Sequence, residues 1–532
     1  MLKSNVKNVL LIGSTGFIGK VTLGLLLERN DVNKVYILIR PKVNTSKKEN
    51  ERESMSTSDA VVDFNAIMTR FKQLKTSPCF QSDECQKAFS DGRVIPVAGD
   101  ANKENLGLGQ DDYERMTSSR LEASDDNSSV ATSYVSLLGF RSDPPTDDKR
   151  DKVTKQQQSS CRGNYDVKEA VTYIINLAAD VSFEKSFPEA MTSNVDTAMN
   201  VLAFAKDCKY LANFVHCSTA YVTSHGKERD VNGIKEELHS IPSLFNAYGD
   251  AEAIYNGIKS GIIKSKEKDL LPAAGHNNSY TFTKYLAEIL LAQKCKGCIP
   301  LAIVRPSIVS VSLRYPAPGW TDSHNALDGF IQLYGAGFIH TNTGDNETLY
   351  DVVPCDYVAD RLIHAAFETC SISNEKKARV IHVTAGKKNN IENPGVFSVM
   401  EDFWNPRNRE KVILRPFLRQ KSDNLNVGKS IQKDARRLQR IMRFLLVIGR
   451  RRLAKKLEKI IPLLQKVNEV FVPFNYYRYD FQSEYSIQDF EPNFNWKDYT
   501  HLICQGIHYY LLRRGKQSPN NPKPKYRLSN VH

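Results

Sequence analysis

The stretch LLIGSTGFIGK, Leu10 to Lys20, constrains the fold of this chain more than any other. It grows out of the apolar run NVLLI and leads into KVTLGLLLERN, which reads as a helix. Gly13, Gly16 and Gly19 fall at the spacing GxxGxxG, at the junction of strand and helix. The first glycine permits the tight turn, and the second lets a pyrophosphate approach the backbone. The third allows close helix–strand packing, while the helix N-terminus favours the negative charge. A glycine triplet alone is weak evidence, so context decides. The context agrees: KVYILIRPK, RVIPVAGD, VTYIINLAAD, ANFVHCSTAYV and LAIVRPSIV are further short apolar runs. Helical stretches separate them, which implies an α/β fold of Rossmann type, a doubly wound parallel sheet with helices on both faces.

The ends of these strands carry the candidate cofactor residues. The second ends at Arg40, followed by Pro41 and Lys42. An acidic residue here would hold ribose hydroxyls, whereas a cation suits the 2′-phosphate of NADP. A solvated strand end is the plainer reading of Arg40. Asp100, after the third strand, is a candidate acceptor for the adenine amino group. Ala178 and Ala179 close the fourth strand with small side chains, which let a cofactor lie across the sheet edge.

The fifth strand ends in Ser218 and Thr219. Open α/β sheets bind ligands at this carboxyl edge. Downstream, SYTFTKYLAEILL sets Tyr280 one helical turn before Lys284, on one helix face. A tyrosine there can donate a proton to a substrate oxygen as hydride reaches carbon. A lysine cation beside it is expected to favour the phenolate and lower the phenol pKa. The Thr219 hydroxyl would orient the carbonyl.

At 532 residues the chain is expected to hold more than one domain. The alternation of strands and helices stops near Asn390, which places a boundary there. Residues 119–164 are rich in Ser, Asp, Lys and Gln and read as a disordered insertion. Residues 516–532 read as a flexible tail. Ten scattered cysteines fit a reducing compartment. Cys295 and Cys298 form one CxxC without a second pair at zinc spacing, so no metal site is expected. The N-terminus enters a strand at once and does not read as a signal peptide. No window reaches the roughly 18 apolar residues of a membrane span. The net charge of +13 favours an acidic partner, and no nucleic-acid motif accompanies it.

GSTGFIGK, VAGDANKENLGL, FVHCSTAYV, YTFTK, IVRPSIV, PAPGW and DVVPCDYVAD occur in that order. Together they resemble the extended short-chain dehydrogenase/reductases, and more closely the fatty acyl-CoA reductases. FEPNFNWKDYTHLICQGIHYYLL resembles the closing segment of that family's C-terminal helical domain. The resemblance implies an NADP-binding extended reductase domain over 1–390 and a mostly helical domain over 391–515. It implies reduction of long-chain acyl-CoA to fatty alcohol, with two NADPH consumed and coenzyme A expelled after the first hydride. By the family pattern Thr219, Tyr280 and Lys284 carry the chemistry. Gly13, Thr15, Gly16, Phe17, Ile18 and Gly19 hold the cofactor, with Tyr280 and Lys284 also touching it. Ile12 and Asp180 stand where the family often has threonine. Two other readings remain: a reductase of this fold acting on a different carbonyl or thioester, and a non-catalytic NADP-binding protein.

Lys433 to Leu464 is basic, with Asp434 and Glu458 as its only acids. Leu438, Ile441, Met442, Leu445, Leu446, Leu453, Leu457 and Ile460 recur at helical spacing. Such a helix either packs its stripe on the reductase domain or lies on an anionic membrane. The second reading implies an intracellular enzyme, peripheral on the endoplasmic reticulum or another organelle membrane.

Overall fold

The computed structural model describes residues 6–41, 64–118, 169–181, 186–223, 233–263, 267–338, 341–343, 349–368, 378–386, 389, 391–404, 419–421, 427–452, 454–455, 457–458, 461–462, 479–513 and 523–524. The insertion expected over 119–164 lies outside them, as does the expected tail over 516–532 apart from Lys523 and Pro524.

Nine strands matter to the site. They are β1 (Asn8–Ile12), β2 (Lys34–Ile39), β3 (Val94–Ala98), β4 (Tyr173–Asn176), β5 (Asn213–Cys217), β6 (Leu301–Pro306), β7 (Ile308–Ser310), β8 (Val352–Pro354) and β9 (Arg379–Val383). Seven form one sheet in the order β9-β6-β5-β4-β1-β2-β3. Every pairing in it is parallel. β7 and β8 pair with each other beside it. The six apolar runs of the sequence are β1 to β6. β9, the seventh, RVIHV, is not among the apolar runs read from the sequence.

The principal helices are α1 (Phe17–Leu27), α2 (Phe64–Lys75), α3 (Asp83–Ser90), α4 (Gln110–Thr117), α5 (Thr197–Asp207), α6 (Ser279–Cys295), α7 (Ala326–Gly335), α8 (Cys355–Phe367), α9 (Asn393–Trp404), α10 (Val427–Val447) and α11 (Trp496–Gly506). Successive strand residues point to opposite faces. Val9, Leu11, Val35 and Ile37 pack with α1 and α8 on one face. Leu10, Ile12, Tyr36 and Leu38 pack with α5 and α6 on the other. Both faces are covered, which is why the strands read as unbroken apolar runs.

α9 and α11 extend the first of these cores through Met400, Phe403, Leu502 and Ile503. Close backbone approach makes this possible. A Cβ on Gly506 would stand 2.0 Å from the carbonyl oxygen of Gly319 in the PAPGW loop. The two narrowest signatures in the sequence, PAPGW and the closing segment, therefore touch. α10 packs on a separate small cluster with Phe338 and α7. Short pairings also appear past residue 390: 391–392 with 349–350 and 419–421 with 341–343. They are too short to have shown as a pattern. Among the described residues no helix is long and apolar enough to cross a membrane.

Candidate active site

The strand order reverses between β1 and β4, where Ile12 partners Asn176. Ligands bind at such a switch point, outside the carboxyl ends of the strands. Gly13 has φ +88, and a Cβ on it would sit 3.0 Å from the Leu177 carbonyl carbon. A Cβ on Gly19 would stand 2.0 Å from Gly13 O, so the loop and α1 need that glycine. Thr15 and Gly16 are exposed, with Phe17 and Ile18 half-buried behind them. Gly16 caps the 11-residue α1 without a side-chain hydrogen bond. Beyond the crevice Asn176 Oδ1 accepts from the Ala178 N–H at 3.0 Å, fixing the turn after β4. This cradle, with no Cβ in the way and a helix N-terminus behind it, fits a dinucleotide pyrophosphate.

Arg40 is 59% exposed and lies 3.2 Å from Asp100, Nε to Oδ1. Asp100 Oδ1 also accepts from the Asn102 N–H at 3.1 Å. The carboxylate expected to meet adenine thus faces Arg40 and its own turn. The Arg70 guanidinium donates to the Arg40 carbonyl, so a second arginine reaches this corner. Sequence reading missed Arg70, because the cue is spatial: α2 runs back along β2.

α6 begins at Ser279, capped by Asn278 Oδ1, which accepts from the Thr281 N–H at 2.8 Å. The cap sets the helix phase and turns Tyr280, Lys284 and Glu288 onto one face. The Thr219 hydroxyl stands close enough to the Tyr280 phenol to act on its titration, which brings α6 to the end of β5. Thr219 Oγ1 also accepts from the Tyr221 N–H at 3.3 Å. Lys284 Nζ donates to the Cys217 carbonyl at 2.5 Å and lies 3.3 Å from His216 Nε2. An ammonium only donates, so His216 accepts at Nε2. Nδ1 then carries the proton and stands 3.4 Å from Asn176 Nδ2, two donors that do not hydrogen-bond. The three expected catalytic residues therefore meet, at the edge where the glycine loop opens.

The electrostatics depart from the sequence expectation. Burial pushes the Tyr280 phenol up, the neighbouring Cys217 adds to that, and the Thr219 side chain offsets part of it. The expected lowering by Lys284 does not prevail, because desolvation is the larger effect. Tyr280 is consequently protonated, as a proton donor must be. Burial also lowers Lys284, against the opposing pull of Cys217 and Glu288. His216 is held well below its ordinary value by burial and by Lys284. The Cys217 thiol is pushed up to about 11, chiefly by burial.

A turn beyond Lys284, Glu288 pairs with Arg305 of β6 at 2.6 Å, both fully buried. Arg305 also donates to the Glu237 carbonyl at 2.9 Å and faces His239 and His382. Glu236 accepts from the His382 N–H at 2.6 Å and the Glu484 N–H at 3.0 Å. The described segment from residue 479 is thereby tied to α6 through His382 and Arg305. Its Tyr479 and Phe481 rings pack on Tyr221, with centroids 4.9 and 5.5 Å away. Trp320 stacks on Phe17 at 5.6 Å, beside the glycine loop. His216, Arg305 and Trp320 were given no role in the site from sequence, although FVHCSTAYV, IVRPSIV and PAPGW contain them.

Asp180, noted as a departure, donates its N–H to Asn194 Oδ1 at 2.9 Å. Asn194 Nδ2 in turn donates to Thr283 Oγ1 at 2.9 Å, which clamps the loop after β4 to α6. Ile12 is buried in the core. Cys295 is buried, and the Cys298 thiol donates to its carbonyl at 3.3 Å. Among the described residues no group of three or more His, Cys, Asp or Glu is arranged to hold a metal.

A family model described as male sterility protein matches residues 11–121 and 163–362. Arabidopsis thaliana fatty acyl-CoA reductase 1 is 25% identical, over 75% of this chain and 69% of that protein. Xenopus laevis fatty acyl-CoA reductase 1 is 26% identical, over 72% of this chain and 58% of that protein. The chain thus spans between 58% and 69% of the length of these relatives. Among solved structures, the terminal reductase domain of the myxalamid PKS-NRPS pathway superposes with a TM-score of 0.57. The two are 16% identical, and the match covers 97% of this chain and 94% of that one. A thiolation-reductase di-domain from an archaeal non-ribosomal peptide synthetase gives 0.52 at 14% identity, over 95% and 76%. Both share the fold.

Proposed function

The chain belongs to the male sterility protein family, and on that premise we propose that it reduces long-chain fatty acyl-CoA to fatty alcohol with NADPH, releasing coenzyme A. The family domain is one for a nicotinamide cofactor, and the relatives above are named fatty acyl-CoA reductases. The observation that carries the reading is the meeting of Thr219 and Tyr280 at the carboxyl edge of β5, with Lys284 one turn along and bonded to the Cys217 carbonyl.

Reduced nicotinamide supplies the hydride when bound. Gly13, Thr15, Gly16, Phe17, Ile18 and Gly19 would hold the pyrophosphate, and Ala178 leaves room beside it. Arg40, with Arg70 behind it, would take the 2′-phosphate. Lys284 would hold the nicotinamide ribose. Thr219 orients the substrate carbonyl oxygen. Tyr280 gives that oxygen a proton as charge develops on it, which its protonated state allows.

The substrate carries a long acyl chain and the alcohol product is insoluble. The enzyme therefore works at a membrane surface, peripheral on the endoplasmic reticulum or another organelle. The test is incubation of purified protein with NADPH and acyl-CoAs of several lengths, followed by mass spectrometry. Fatty alcohol and free coenzyme A are expected. NADPH binding without release of coenzyme A from any acyl-CoA would overturn the proposal in favour of a different carbonyl substrate or a non-catalytic role.

A further inference from the structure

The basic segment splits into a covered stripe and an uncovered tip. Leu438, Leu457 and Ile461 are buried against Phe338, with Ile441, Met442 and Leu445 packed beside them. The apolar stripe is thus core, and α10 cannot lie flat on a membrane through it. Leu453 and Ile460 fall outside the described residues. Where α10 ends the pattern changes. Phe444 is 62% exposed, Leu446 49%, Val447 85% and Ile448 49%. Four large apolar side chains within five residues make a contiguous exposed patch of the kind that marks an interaction site.

A defined helix stop closes this patch. Gly449 has φ +76. Its N–H donates to Leu446 O at 3.1 Å, and the Arg450 N–H to Leu445 O at 2.8 Å. That pair of bonds is the Schellman helix stop. The motif usually buries an apolar residue at the position Arg450 occupies. Here that residue is an exposed cation. Arg443, Arg451 and Arg452 are exposed around it, and the sequence from Arg443 to Leu457 contains no acid.

We infer that the turn from Phe444 to Ile448 is a membrane-insertion point, which dips its apolar side chains into an anionic lipid surface while the ring of arginines pairs with headgroups. The inference rests on the reading of this protein as a reductase working at a membrane, and it names the part that touches lipid. Charge selects the occupant. A second copy would bring the same arginines against themselves, whereas an anionic leaflet attracts each of them. Arginine stems can lie along lipid while their heads stay at the interface.

The test is cosedimentation of the full chain with phosphatidylcholine vesicles, with and without phosphatidylserine. Wild type should bind the anionic vesicles and come off as salt rises. Phe444→Asp combined with Val447→Asp should weaken binding about tenfold or more, while NADPH oxidation on detergent-dispersed acyl-CoA stays unchanged. Both positions are exposed, so the substitutions do not disturb the core. Arg450, Arg451 and Arg452 changed together to Gln should weaken binding and flatten its salt dependence. Anionic binding that the aspartate pair leaves intact would overturn the insertion point while sparing the membrane reading. A wild type that ignores anionic vesicles at low salt would overturn both, with the acyl-CoA assay still judging the catalytic proposal separately. A wild-type dimer that the aspartate pair makes monomeric, without vesicle binding, would assign the patch to a second copy and overturn the inference.

Discussion

Lys284 Nζ lies 3.3 Å from Nε2 of His216, and both side chains are buried. The cation that would hold the nicotinamide ribose therefore rests on an imidazole beneath the sheet edge. A buried cation needs such acceptors, since desolvation works against its charge. His216→Leu removes one and leaves the Cys217 carbonyl alone. A hydrogen bond to a charged group contributes about 1.5–3 kcal/mol, so kcat/KM should fall roughly ten- to a hundredfold. His216→Gln keeps an acceptor and should recover part of the loss. If Lys284 is positioned through His216, the KM for NADPH should rise more than the KM for acyl-CoA. Equal changes in both would mark His216 as structural packing only.

Tyr280→Phe keeps the ring and removes the donor. Turnover should drop by about 10²–10⁴-fold, with cofactor affinity and melting temperature near wild type. Stopped-flow or steady-state NADPH oxidation measures the first, and NADPH titration the second. Near-normal turnover would remove Tyr280 from the chemistry.

The fold was legible because its signals are local. The glycine loop and six buried strands each announce themselves within about ten residues. Tyr280 and Lys284 were legible because they share one helix face, and Thr219 because it ends a strand. What sequence could not give are contacts made across the sheet. His216 beneath Lys284, Arg305 against Glu288 and Arg70 behind Arg40 join residues far apart in the chain. The direction of the Tyr280 shift failed for the same reason: spacing shows the neighbouring cation but not the burial that outweighs it.

Arg40→Asp should raise the KM for NADPH far more than that for NADH, because it sets a carboxylate beside Asp100 where a 2′-phosphate would sit. Arg70→Ala should act in the same direction more weakly. The comparison of both cofactors in one assay decides it. Equal losses would mean that the corner only supports the fold.

Asp328 is buried, accepts from the Ser310 hydroxyl and from Thr321 Oγ1 at 2.8 Å, and is pushed up to about 7 by desolvation. Its folded value lies above its unfolded one, so the folded state holds the proton longer. The stability it contributes is full below about pH 4 and is lost as pH rises toward 7. Asp328→Asn removes this dependence. Relative to wild type, the variant should gain on the order of 2–3 kcal/mol between pH 5 and pH 8. Denaturant melts at the two pH values measure the difference. A gap that does not change with pH would mean that Asp328 is not the titrating group.

Gly506 of α11 meets Gly319 of the PAPGW loop with no room for a methyl group: a Cβ there would stand 2.0 Å from the Gly319 carbonyl oxygen. Both partners are backbone, so no side chain can swing aside. Gly506→Ala must push α11 away from the loop. Overpacking of this kind costs about 1–3 kcal/mol, which lowers the melting temperature. The effect should also reach the cofactor site. Trp320 follows Gly319 directly and stacks on Phe17 at the start of α1. The Trp320 N–H also donates to Ser312 Oγ, and the Ser312 N–H to Trp320 O at 2.9 Å. A displaced loop therefore carries the indole with it, and the KM for NADPH should rise severalfold. Lys497→Ala, exposed near the start of the same helix, serves as the control and should leave both quantities nearly unchanged. A Gly506→Ala protein with wild-type stability and NADPH affinity would show that the loop and helix can part freely, and that the closing segment does not brace the cofactor site.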